Sequence, residues 1–293
     1  MAVIEGKQVA LPLSLDDMSD RVKESVAYAR HHKALKTIAT AGAMAQSDGL
    51  PVLIRVCKQQ RQRSSSTGVE SGNPFLPYDE GLCVGDISAT HVCLLNKYNV
   101  MPRHVLMVAK HEEAQAMPLT PADFHAFCFT IGALGGLGFY NSSAQAGASV
   151  NHKHLQLIAS PLGDHGDFPF LNILEKYGPV EGIDCVAELP FDNLVVRLPK
   201  MATVAERAKS AYQLYLRMVA RLGLICDING ALPPYNLLIN RDWLWLVPRT
   251  TAEVEGIGIN ALGYAGAILL TDRGQLQTLK RIGVSALLRQ AAK

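Results

Sequence analysis

Apolar positions recur along the chain with two periods, and each period predicts its own kind of element. In SDRVKESVAYARHHKALKTIATAGAMAQ (19–46), Val22, Val26, Ala29 and Lys33 mark helical spacing and Ser19 stands where a cap is needed. The reading is a helix over most of 19–46, within an N-terminal helical segment of residues 1–49. PVLIRVCK (51–58), HVCLLNKYNV (91–100) and HVLMVAK (104–110) are β-rich, and Met101-Pro102-Arg103 joins the last two as strands. Thr120-Pro121-Ala122-Asp123 is a strong helix start: a capping hydroxyl, proline in the first helical position, and an acid in the first turn. That helix runs towards Gly135-Gly136. A second helix is read over 203–222 with Thr203 as its cap. PYNLLIN (234–240) and WLWLVPR (243–249) read as a hairpin, and the tail from Asp272 reads as helix. Strands and helices are mixed without regular βαβ alternation, which predicts an α+β fold around an antiparallel sheet.

Two polar stretches interrupt the pattern. QQRQRSSSTGVESGN (59–73) is Ser-rich and locally basic, read as an exposed loop, with a lid as the sharper reading. NPFLPYD (73–79) has two prolines and is read as irregular. A weak internal echo suggests two fused pseudo-repeats, a catalytic half at about 50–165 and a degenerate half at 185–293, within one domain spanning 1–293. In that echo GASVNHKHLQLIASP (147–161) corresponds to GALPPYNLLINRDWL (230–244), so Asn236 falls where the first half has a histidine.

Composition narrows the function. The 293 residues are 48% hydrophobic and 18% charged, ordinary for a compact protein with a sizeable core. A net charge of +2 gives no global field for nucleic acid or an anionic membrane, so neither is an expected partner. No apolar run reaches the roughly 18 residues of a membrane span, and MAVIEGKQVALPLSLDDMSD lacks the basic and apolar blocks of a secretory signal. The expected location is cytoplasmic. The six cysteines are scattered with no C-x-x-C pair, which argues against a disulfide framework or a cysteine-built zinc site.

The chemistry concentrates in GASVNHKHLQL (147–157). On a strand, His152, His154 and Gln156 share one face, while Lys153, Leu155 and Leu157 share the other. Gly147, Ala148 and Ser149 precede them, small enough for backbone N–H groups to approach an anion. Three readings stand. The row is a polar strand face, in which case each buried group needs a partner. It binds a metal, for which H-x-H needs a third ligand that Gln156 supplies poorly. Or a neutral imidazole attacks a phosphorus centre and holds the transferred group covalently.

FYNSSAQAGASVNHKHLQL (139–157) resembles the histidine-triad superfamily, and more narrowly its ATP adenylyltransferase or diadenosine tetraphosphate phosphorylase branch, which carries His-x-His-x-Gln where the small hydrolases carry a third histidine. NPFLPYD, LLNKYNVMPRHVLMVAKHEEAQAMPLTPADF (94–124), PPYNLLINRDWLWLVPR (233–249) and INALGYAGAILL (259–270) match in order, so the similarity runs from about residue 50 to the C-terminus. The resemblance implies a histidine-triad-like antiparallel sheet with flanking helices. It implies that His154 attacks the α-phosphorus, that His152 orients the site, and that Gln156 binds phosphoryl oxygens. It further implies substrate contacts from Asn141, Gly147, Ala148, Ser149, Asn96, Lys97, Lys58 and Asn236. The chain departs from the family in having Ser143-Ala144 for Gly-Pro and Val150 for a glutamine.

The implied reaction is cleavage of diadenosine tetraphosphate by phosphate to ATP and ADP, reversible, through an adenylyl-histidine. Glutamine cannot serve as a general acid or base, which suits good leaving groups and disfavours water activation. A hexose-1-phosphate uridylyltransferase and a catalytically silent nucleotide sensor are the alternatives. No cofactor or protein-built metal site is expected, although magnesium would accompany the nucleotide. Two fused halves would make a dimer unnecessary, so a monomer is expected.

Overall fold

The computed structural model describes residues 11–58, 72–160 and 166–292. In chain order the helices and strands are α1 (Met18–His31), β1 (Thr40–Ser47), β2 (Leu50–Cys57), β3 (Cys83–Asp86), β4 (His91–Leu95), β5 (His104–Ala109), α2 (Pro121–Leu134), β6 (Leu137–Asn141), β7 (His154–Ile158), α3 (Leu171–Tyr177), β8 (Ile183–Asp184), β9 (Leu194–Arg197), α4 (Val204–Arg221), β10 (Tyr235–Ile239), β11 (Trp243–Pro248), β12 (Glu253–Val254), β13 (Ile257–Gly258), β14 (Ala267–Leu270), α5 (Arg273–Ile282) and α6 (Val284–Ala291). The fold is α+β. A nine-stranded antiparallel sheet runs β3-β4-β5-β7-β6-β10-β11-β9-β8, and a three-stranded sheet runs β1-β2-β14.

Side-chain alternation gives the large sheet two apolar faces. Val105, Met107, Tyr140, Leu155, Leu157, Leu237 and Leu244 point to the layer of α1, α2 and α4. Leu137, Phe139, Ile158, Leu238, Trp243 and Trp245 point the other way, to a second layer built from α3, α5, α6 and the small sheet. Thus both tryptophans are core residues. The second layer covers the β6, β10 and β11 side of its face. Over β4 and β5, among the described residues, Phe75 and Tyr78 pack on the cluster of Leu94, Leu106 and Val108. The boundary between these two covers lies at β7.

The helix starts read from sequence form as expected. Thr120 accepts from the Asp123 N–H while the Asp123 carboxylate accepts from the Thr120 N–H, and Thr203 and Glu206 repeat the arrangement at α4. The first helix differs. It ends at His31, Lys33 adopts a positive φ, and residues 40–47 form β1 rather than a continued helix. Ala41, Ala43 and Ala45 alternate, a period a strand can use, and pairing along all of β2 decides the matter. Asp17, not Ser19, occupies the cap position, and its backbone is tied to Ser14. The loop reading of 59–71 lies outside the described residues.

The strand order carries an echo, but not the one read from sequence. From the outside inwards, β4-β5-β7-β6 is matched by β8-β9-β11-β10, with α2 and α4 in equivalent connections. The counterpart of the histidine-bearing β7 is therefore β11. Asn236 lies on β10, the counterpart of β6, and pairs directly with Asn141. It does not occupy a histidine's place.

Candidate active site

His154 opens β7, the first residue as the chain enters the sheet. Gln115 holds it there: its Oε1 accepts from the His154 N–H at 2.9 Å, and its Nε2 donates to the carbonyls of His154 (3.2 Å) and Asn141 (2.7 Å). One buried amide thus replaces the ladder where β6 and β7 part. The His154 side chain shares a face with Gln156, opposite Leu155 and Leu157 on the helix side. Its Nδ1 lies 2.8 Å from the His152 carbonyl. A carbonyl can only accept, so Nδ1 carries the hydrogen and Nε2 keeps its lone pair. No described residue bonds to Nε2. Burial, offset in part by the hydrogen bond to the His152 carbonyl, pushes the imidazole down to about 4, so it is neutral at pH 7.

His152 is not on the strand, contrary to the sequence reading; it lies in the bend before β7. Its Nε2 lies 2.8 Å from the Ala109 carbonyl and so donates, leaving Nδ1 to accept from Asn73 Nδ2 at 2.9 Å. Asn73 is oriented in turn, because its Oδ1 accepts from the Phe75 N–H. Both nitrogens of His152 are therefore used within the protein. What it offers His154 is its backbone carbonyl. The Phe75 ring lies 5.3 Å from the His154 ring and 6.0 Å from that of His152, so NPFLPYD is a cover over the histidines.

Gln156, the third member of the row, accepts at Oε1 from His104 Nε2 at 2.9 Å. The turn before β7 is the other wall. Asn141 Oδ1 accepts from the Ala261 N–H and from Asn236 Nδ2, each at 2.9 Å. Gly147 ends a short 3-10 turn at φ +93, and a Cβ there would lie 2.8 Å from the Ile259 carbonyl and from Asn260. Beyond Ala148 the N–H groups of Ser149, Val150 and Asn151 have no partner among the described residues, and Ser149 is exposed. The Ser143 hydroxyl is buried with no partner among the described residues. Together these donors form a short row of the kind that suits an anion.

The structure brings together His152, His154, Gln156, Asn141 and the 147–149 turn. The remaining predicted residues are engaged by other partners or stand apart from this group. Asn236 is fully buried. Its Nδ2 bonds Asn141 and the Ala146 carbonyl, and its Oδ1 accepts from Arg249, so it braces the turn from beneath instead of reaching a substrate. Asn96 is spent on His104, with Nδ2 3.2 Å from Nδ1. Lys97 is half-exposed and lies 3.4 Å from Asp79, at the end of the covering segment. Lys58 is exposed just past β2, in the smaller sheet. Sequence reasoning missed Gln115, Asn73, Phe75 and His104 as builders of the site. The bonds from Gln115, Asn73 and His104 to the 141–156 region span 26 to 79 residues, and no local pattern joins them.

Among the described residues no group of three or more His, Cys, Asp or Glu side chains is placed to hold a metal ion. A cavity of about 470 Å³ lies at the far ends of β6 and β7, lined by Gly136, Leu137, Ile158 and Arg241 among others. None of the described histidines lines it.

A free imidazole nitrogen on a sheet face, beside an amide and a turn of open N–H groups, is an arrangement suited to nucleotidyl transfer, and the matching families are those of nucleotidyltransferases. The chain belongs to the Ap4A phosphorylase family: residues 8–176 match the Ap4A phosphorylase N-terminal domain and residues 187–293 the ATP adenylyltransferase C-terminal domain. It is 28% identical over 251 residues to diadenosine 5',5'''-P1,P4-tetraphosphate phosphorylase 2 of Saccharomyces cerevisiae, covering 76% of this chain and 75% of that one. It is 29% identical over 197 residues to the yeast protein APA1, 60% of each chain. The crystal structure of yeast Ap4A phosphorylase Apa2 in complex with Ap4A superposes with a TM-score of 0.78 at 22% identity, covering 94% of this chain and 97% of that one. The AMP complex of the same yeast protein gives 0.76 at 23%, with 94% and 96% covered.

Proposed function

We propose that this chain cleaves diadenosine tetraphosphate with phosphate to give ATP and ADP, and in reverse makes the dinucleotide from ATP and ADP, with His154 as nucleophile. The observation that carries the reading is the His154 tautomer. Its Nδ1–H is committed to the His152 carbonyl, leaving the Nε2 lone pair unpaired. The Nε2 pair forms a P–N bond to the α-phosphorus. The P–O bond to the remaining polyphosphate breaks, and its electrons leave on the terminal phosphate of ATP. A phosphate oxygen then attacks the same phosphorus, the P–N pair returns to Nε2, and ADP departs. Neither step requires a proton from the protein, because both leaving groups are weakly basic.

Charge on the transferring group is met by the Gln156 amide, the Ser149 hydroxyl and the open N–H groups of the turn. His152 acts as a positioning residue through its carbonyl. Lys97 would leave Asp79 for the polyphosphate, and Lys58 would join from the edge of the small sheet. A divalent ion such as magnesium enters with the nucleotide as part of the substrate. Gln156 cannot deprotonate water, so the adenylyl group waits for an anionic acceptor. We read the chain as one unit made of two pseudo-halves, about 50–165 and 185–293, working as a monomer in the cytoplasm.

The test is incubation with diadenosine tetraphosphate, with and without phosphate. ATP and ADP that form only with phosphate support the reading. AMP and ATP would make the protein a hydrolase, and no products would favour a nucleotide sensor. Acid-labile label trapped on residues 150–160 from adenine-labelled substrate identifies the intermediate. Its absence from an active preparation removes His154 as nucleophile.

A further inference from the structure

The amide of Gln156 has two ends of opposite polarity, and only one of them can help a phosphoryl oxygen. A chain of hydrogen bonds decides which end faces the site, and it starts at a group whose direction is fixed. The backbone N–H of Tyr98 can only donate, and it bonds Asn96 Oδ1 at 3.1 Å. Asn96 must therefore present its Nδ2 hydrogens to His104, which lies across the β4–β5 hairpin, 3.2 Å away at Nδ1. The same Nδ2 is 3.4 Å from His104 Nε2, a longer contact to an atom already engaged by Gln156. His104 Nδ1 thus accepts. A neutral imidazole that accepts at one nitrogen carries its hydrogen on the other.

His104 is buried between β4 and β7, against the Phe139 ring. Burial, offset in part by the bond to Gln156 and aided by the neighbouring His154, lowers its pKa to about 4. It is neutral at physiological pH. Its Nε2–H then donates to Gln156 Oε1 at 2.9 Å, and the Gln156 NH₂ is the end of the amide with no partner among the described residues.

We propose that His104 is a positioning residue that locks the Gln156 amide with its NH₂ towards the transferring phosphoryl group, and that Asn96 sets the tautomer through which it does so. The proposal rests on the nucleotidyl-transfer reading above. With the opposite tautomer, His104 would accept from Gln156 and turn the amide oxygen towards phosphoryl oxygens, which would repel them. The device also explains an asymmetry in the site. His152 is oriented by the same construction, an asparagine fixed by a backbone N–H two residues on, but it ends on a backbone carbonyl; His104 ends on a side chain that reaches the reacting face.

Three variants test it: His104→Phe, which keeps volume but cannot donate; His104→Gln, whose amide can donate; and Asn96→Asp, which reverses the polarity at Nδ1. Rapid-quench measurement of adenylyl-protein separates the amplitude, which counts folded sites, from the rate constant per site. His104→Phe is expected to lower the rate constant about 10²-fold at full amplitude, the scale of losing one oriented donor. His104→Gln is expected to recover most of that loss. Asn96→Asp is expected to lower the rate constant and move the His104 hydrogen to Nδ1 in ¹⁵N NMR spectra. In a Gln156→Ala background, His104→Phe is expected to change the rate constant less than about threefold, because both act through one amide.

A His104→Phe protein with reduced amplitude but an unchanged rate constant would make the role purely structural. Additive losses in the double variant would show that His104 does not act through Gln156. Either result overturns the proposal. A wild-type protein that forms no adenylyl adduct sinks the transfer reading instead. The resting NMR tautomer of His104 still scores the locking device in that case: Nε2–H upholds it and Nδ1–H refutes it.

Discussion

His154 is a histidine kept neutral, with Nε2 available for attack, by position alone. Its neighbour's carbonyl takes the Nδ1 hydrogen, and burial removes the proton that an exposed imidazole would hold near pH 6.5. Protonation of Nε2 consumes the attacking lone pair, so activity is lost as pH falls through the folded pKa of about 4. Phosphorolysis is expected to be flat from about pH 8 down to about pH 5.5 and to fall only below about pH 5. An acid limb centred near pH 6.5 would mean a solvated imidazole and a different geometry. His154→Ala should lose at least on the order of 10⁴-fold in kcat. Gly147 gives a prediction about shape. At φ +93 with the Ile259 carbonyl 2.8 Å from any added Cβ, Gly147→Ala is expected to cost about 1–3 kcal/mol and to raise KM as the turn shifts, measured by urea unfolding and steady-state kinetics. At this scale the sequence was a good guide to which residue types matter. His154 and Gln156 stood out from alternation, and Gly147 from its place in a turn. It was a poor guide to Asn96 and Asn236, which look like free polar groups in the sequence but are consumed by His104 and Arg249.

Helix α2 stands at the back of the site and was legible almost residue by residue, because Thr120, Pro121 and Asp123 signal its start locally. What local signals could not show is that Asp123 has a second occupation. Its carboxylate, buried beside the capping hydroxyl, lies 3.0 Å from His91 Nε2 and 3.6 Å from the ammonium of Lys153, which is itself fully buried and paired with Glu113. Burial raises the Asp123 pKa, but the bond to His91, the Lys153 charge and the Thr120 N–H outweigh it, so the group stays an anion. Lys153 sits between the two site histidines in sequence, on the opposite face, and so nails the start of β7 to the cap of α2. Lys153→Met leaves Asp123 charged in the interior and is expected to cost about 3–5 kcal/mol, against about 1 kcal/mol for Thr120→Ala, both read as shifts in the urea midpoint. Equal losses would mean that Asp123 serves only as a cap. The failure at residues 40–47 has the opposite cause. Small residues there satisfy either period, and the partner that selects a strand, β2, is set by pairing rather than by composition.

At the scale of the molecule, β6 pairs with β10 across the middle of the sheet, and the two large apolar clusters each draw residues from both sides of that seam. The sequence could suggest a repeat, but strand order was needed to place β7 opposite β11, since periodicity carries no information about which strand neighbours which. This packing excludes water from two imidazoles at once, and the whole fold must bear the consequence. His104 and His154 have folded pKa values of about 4, and unfolded histidine titrates near 6.5. Between those values the unfolded chain binds protons that the native state refuses, so stability falls as pH falls through this window. The full difference amounts to about 3 kcal/mol for each histidine once pH reaches the folded value. Asp123 works in the same direction only at lower pH, below the ordinary carboxylate range, because its folded pKa is depressed. The urea midpoint is therefore expected to be level from about pH 8 to 7 and to drop steeply between pH 6.5 and 4.5. In a His104→Gln, His154→Gln double variant that drop should shrink by up to two protons' worth of slope, with little change at pH 8. If the double variant keeps the wild-type slope, other groups govern the acid limb and the neutral imidazoles are not the ones the fold protects.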